Sequence, residues 1–72
     1  ADAARSRAAR KELAKVESQL AKTEKRIATL HASMAEAASD YARLTALHAE
    51  LDAEQASRDD LEEAWLLAAE DA

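Results

Sequence analysis

The residues able to do chemistry in this 72-residue chain are unevenly distributed. Eight cations (Arg5, Arg7, Arg10, Lys11, Lys15, Lys22, Lys25 and Arg26) fall before position 27. Residues 37–72 hold ten carboxylates and only two basic side chains, Arg43 and Arg58. Ser6, Ser18, Ser33, Ser39 and Ser57 have no histidine in a context that suggests a nucleophile and its base. Glycine and cysteine are both absent, which removes phosphate-cradling loops, thiolate zinc sites and disulfides together. His31 and His48 fall close to one another across a folded-back chain, with Asp52 one turn beyond. Two or three ligands on a solvated edge hold a metal poorly, and solvated histidines are the plainer reading. The chain therefore reads as non-catalytic, with no metal or cofactor of its own.

The cations are the one feature with a ligand chemistry. On a helix, Lys15 and Lys22 share one heptad position, while Lys11 and Lys25 share another, which gives a stripe facing solvent. Arg7, Lys11, Lys15, Lys22, Lys25 and Arg26 form the candidate nucleic-acid set. With one Tyr, one Trp and no Phe, there is no platform for stacked bases. Contact should run through the phosphate backbone and be weak and salt-dependent. Against this stands a net charge of −5: acids further along can neutralise part of the stripe, leaving an ordinary solvated face.

The elements that must position these side chains are helices. Of the 49% hydrophobic residues, 21 are alanine, so only about a dozen large apolar side chains remain, too few for a thick core. A breaker-free sequence rich in Ala, Leu, Glu, Lys and Arg points to long helix. Leu13, Val16, Leu20, Ile27, Leu30 and Met34 follow a heptad seam with Thr23 in its one gap. Leu44, Leu47, Leu51, Leu61, Trp65 and Ala68 follow a second, with Glu54 and Arg58 as polar members. The two are out of phase, which requires a stammer or a turn between them.

Charge selects the turn. Residues 1–36 carry eight basic and five acidic side chains, against two and ten in residues 37–72. Only an antiparallel pairing sets the basic start beside the acidic end; each exposed pair is worth ~0.2–1 kcal/mol. The seams then face one another, Met34 on Leu44, Ile27 on Leu51, Thr23 on Glu54, Leu20 on Arg58 and Leu13 on Trp65. The flanks pair Arg26 with Glu50 and Arg5 with Asp71, with Glu17 opposite Glu62 as a like-charge exception. Arg58 is expected near Glu54 and Glu62. The polar layers weaken the middle and fix register. The fold is thus an all-α antiparallel two-helix coiled-coil hairpin. Helix one is expected at about 5–35, the turn at about 36–39 and helix two at about 40–70, with Ser39 or Asp40 as N-cap. An antiparallel pair of unbroken helices would make the same contacts between two chains, so a monomer or weak dimer is expected.

No apolar run approaches the ~20 residues that span a bilayer, so a cytoplasmic protein without membrane contact is expected. Beginning without methionine, the chain is expected to be a segment of something longer. Near its end, Trp65 falls on the seam as an end-clamp, whereas Leu66 and Leu67 fall outside it and form a possible docking edge.

The stretches "KELAKVESQLAKTEKRIATL", "SDYARL" and "LEEAWLLAAED" together resemble the C-terminal coiled-coil domain of ABC-F ATP-binding cassette proteins, the Uup type in particular. The resemblance runs from about Lys11 to Glu70. A small Ala68 and the lack of a turn proline depart from the pattern. It implies an accessory arm after two ATPase domains that would hold the ATP, and association with DNA, ribosomal RNA or the ribosome. A purely structural coiled coil for self-association or domain spacing is the alternative.

Overall fold

The computed structural model describes residues 2–72, and among them are two helices, α1 (Asp2–Glu36) and α2 (Tyr41–Asp71), and no strand. Both helices reach beyond the expected limits at the open end. Nothing there stops them, because neither glycine nor proline interrupts a run of favourable helix formers. The chain folds back on itself as an antiparallel hairpin, a rod of 58 × 14 × 11 Å.

The reversal occupies Ala37, Ala38 and Ser39. The Ala37 amide still donates to the Ser33 carbonyl at 3.0 Å, and the Asp40 amide donates back to the Ala37 carbonyl at 2.8 Å. Of the two N-cap candidates, Asp40 takes the role. Its backbone is extended (φ −104°, ψ 93°), and its Oδ1 accepts from the Arg43 amide at 3.0 Å. No described residue has a positive φ. The turn is therefore made from conformations open to any L-residue, so it needs no glycine.

One seam holds the helices together. Val16, Ile27, Leu47 and Leu51 are buried in it. Leu13, Leu20, Leu30, Met34, Leu44, Leu61 and Trp65 are half-buried, because no third layer covers their outer edges. The most enclosed side chain is polar: Thr23 is only 1% exposed. Two alanines join the core, Ala9 and Ala37. Ala37 lies in the turn, as expected, and is buried as well: it continues the first register three residues past Met34 and closes the seam there.

Candidate nucleic-acid and docking surfaces

The cross-helix polar contacts follow from the direction in which side chains leave a helix. Each leans toward the N-terminus of its own helix. In an antiparallel pair those directions oppose, so long side chains meet a partner further along α2 than the one facing them. Arg26 was expected on Glu50, but its Nε bonds Glu54 Oε1 at 3.1 Å, and its Nη2 donates to Thr23 Oγ1 at 3.4 Å. Arg58 was expected between Glu54 and Glu62. With Glu54 occupied, it sits 3.9 Å from Glu62 and 4.0 Å from Glu24. Glu17, expected to oppose Glu62, instead accepts a 3.1 Å hydrogen bond from Trp65 Nε1. Arg5 meets Asp71 at 3.0 Å, as the facing pairs required.

The middle of the hairpin is thus a small polar assembly of Thr23, Arg26 and Glu54. The Glu54 side chain is three-quarters enclosed, with 25% of its surface in water. Its second oxygen, Oε2, is buried without a hydrogen-bond partner.

Of the six candidate nucleic-acid residues, Arg26 is engaged by this assembly, although 58% of its side chain is in water. The other five, Arg7, Lys11, Lys15, Lys22 and Lys25, are exposed. None of the five belongs to an ion pair among the described residues. From Lys11 to Lys25 the stripe runs about 21 Å at ~1.5 Å per residue. Arg10, outside the set, is tied locally to Ser6 Oγ at 3.2 Å.

At the open end Trp65 packs half-buried against the seam and is anchored by Glu17. Leu66 and Leu67 stand out at 62% and 60% exposure. Leu66 borders a groove of about 290 Å³ with Leu20, Glu62 and Trp65. Leu67 borders a different one, of about 420 Å³, with Ala8, Ala9, Ala64 and Ala68. The two leucines therefore face opposite sides of the rod.

The family model described as "ABC transporter C-terminal domain" matches residues 4–70, nearly the whole chain. The chain belongs to this family. A search of the curated proteins finds no match, and neither does a search of the solved structures. As an ABC transporter C-terminal domain, it has the role of an accessory domain. His31 and His48 are both exposed. No cluster of three or more potential ligands forms among the described residues. Among the described residues, no helix is long and apolar enough to cross a membrane.

What sequence reasoning missed in these surfaces was the pairing of the polar side chains. The tilt of the Cα–Cβ bonds was the signal that could have found it. Applied to Glu17 and Arg26, it points to Trp65 and Glu54 in place of Glu62 and Glu50.

Proposed function

We propose that this domain is a non-catalytic accessory arm of an ABC-F-type ATPase, acting in the cytoplasm, that lays α1 along a nucleic-acid phosphate backbone. ATP would be bound by upstream domains of the same protein, and DNA or ribosomal RNA would be the partner. One observation carries this reading: Arg7, Lys11, Lys15, Lys22 and Lys25 stand exposed on α1 and outside every intramolecular ion pair. Phosphates along one strand are ~3.4 Å apart, so a stripe of about 21 Å spans roughly six of them. The acids of α2 oppose binding, and Glu50, Glu54 and Asp60 line the same grooves as Lys22. At physiological salt the Debye length is ~8 Å, so a cation at the surface is governed mainly by its own neighbourhood. With no aromatic beside the stripe, binding is indifferent to sequence.

The test is fluorescence anisotropy with a labelled DNA duplex and a labelled ribosomal RNA hairpin over a salt series. Neutralising about five phosphates gives a log–log slope near −4 for the duplex. The double substitution Lys15→Glu/Lys22→Glu should abolish binding and leave helicity unchanged. No detectable binding of either ligand at low salt refutes the proposal.

A further inference from the structure

Three grooves of the rod lie on one side. They run from the open end (about 420 Å³, at Ala8, Ala64 and Leu67), through the middle (about 330 Å³, at Lys22, Ser57 and Asp60), to the turn-proximal half (about 580 Å³, at Lys22, Ala53 and Glu54). A hairpin with a single seam leaves such a side open, and Leu67 faces water from it. On this side α1 presents Ala8, Lys15 and Lys22, and α2 presents Ala53, Asp60 and Leu67, all exposed.

We infer that this side receives the same side of a second copy, closing a four-helix bundle. Charge decides both the occupant and its orientation. Of the ways to stack two hairpins about a two-fold axis, one places α1 of each copy on α2 of the other, with the axis parallel to the rod. The alternatives set α1 on α1, base against base. In the favoured arrangement levels interleave. Asp60 falls between Lys15 and Lys22 of the second copy, and Leu67 falls between its Ala8 and Lys15. The alanines at Ala8 and Ala53 leave room for the backbones to approach, and every helix gains an antiparallel neighbour. The unpartnered Glu54 Oε2 borders the same trough as Lys22. The interface is isologous and therefore closes on itself without forming filaments.

Sedimentation equilibrium of the purified 72-residue chain, without nucleic acid, tests this from low micromolar to millimolar concentration. A monomer–dimer equilibrium is expected. Leu67→Glu should weaken it by about tenfold or more, which corresponds to ~1.4 kcal/mol. Leu66→Glu, on the opposite side, should leave it unchanged. Lys15→Glu/Lys22→Glu and Asp60→Lys should each be monomeric alone, because each sets like charges across both contacts. Mixed together they should pair, since both contacts of the mixed species are again opposite in charge. Circular dichroism confirms that each variant keeps its helices. A chain that stays monomeric overturns the inference, as do Leu66→Glu weakening as much as Leu67→Glu, and a mixture that does not associate. The inference stands apart from nucleic-acid binding: Leu67→Glu and Asp60→Lys break the dimer and leave the cations in place, so either proposal can fail alone. If both hold, dimerisation hides Lys15 and Lys22, and the two compete.

Discussion

Replacing Glu54 with leucine should stabilise the hairpin, although it removes an ion pair. The Arg26–Glu54 contact is 3.1 Å, but 58% of the arginine side chain is in water. An exposed pair of this kind is worth ~0.2–1 kcal/mol. On the other side, Glu54 Oε2 is buried without a donor, an arrangement that costs roughly 1–3 kcal/mol. A leucine at this seam position also buries apolar surface, worth about 1–2 kcal/mol when incomplete. The balance favours Glu54→Leu by about 1–3 kcal/mol, or about 5–20 °C in Tm for a domain of this size. The companion variant Arg26→Ala has the opposite sign. It leaves both Glu54 oxygens and the enclosed Thr23 hydroxyl without the guanidinium, at a cost of about 1–3 kcal/mol. Thermal melts followed by far-UV circular dichroism, at concentrations too low for association, read both. A Glu54→Leu chain that melts below the parent would refute the reasoning, and so would a neutral Arg26→Ala.

Asp40→Ala removes the only side-chain cap of α2 and should cost ~1 kcal/mol, read as a lower urea midpoint with an unchanged slope. Trp65→Ala should cost ~3 kcal/mol or somewhat less, since the ring is only half-buried, and hydrogen exchange should show the loosening confined to the open end. Trp65→Phe keeps most of the ring but not the bond to Glu17, and its cost should stay within ~1 kcal/mol. Arg5→Ala should change stability by less than ~0.5 kcal/mol, because the guanidinium that meets Asp71 is mostly in water.

The antiparallel fold was legible in the sequence because two independent signals agreed. The phase slip between the seams of Leu13–Met34 and Leu44–Trp65 demanded an interruption, and the charge asymmetry demanded reversal. The turn was legible only in part. Asp40 was one of two candidate caps, and Ala37 fell in the turn as expected, but alanine carries no signal that a turn residue also closes the core. The polar contacts were misread at Arg26 and Glu17 for one reason, while Arg58 found Glu62 as expected. The pairing was counted between facing backbone positions, and these two side chains meet partners further along α2. Thr23 shows a different limit. Its place in the seam followed from spacing, but its being the most enclosed side chain depends on Arg26 folding over it, a tertiary event with no local pattern. Arg26 itself was counted among the phosphate-binding cations, and only its contacts with Glu54 and Thr23 set it apart from Lys22 and Lys25. That Leu66 and Leu67, adjacent in sequence, look to opposite sides follows directly from the ~100° advance per residue of a helix.

The hairpin brings Arg5 and Asp71 together, so both helix ends lie at one pole of a 58 Å rod, with Tyr41, 84% exposed, at the other. Mechanically this is a lever with a single fulcrum. A rotation of about 10° at the Arg5–Asp71 pole carries the Tyr41 tip through about 10 Å, with no change inside the rod. Small rigid-body adjustments at the base become displacements at the tip as large as a helix is wide. The give in that lever lies about halfway along it, at the Thr23–Arg26–Glu54 assembly, where a buried Glu54 oxygen has no donor.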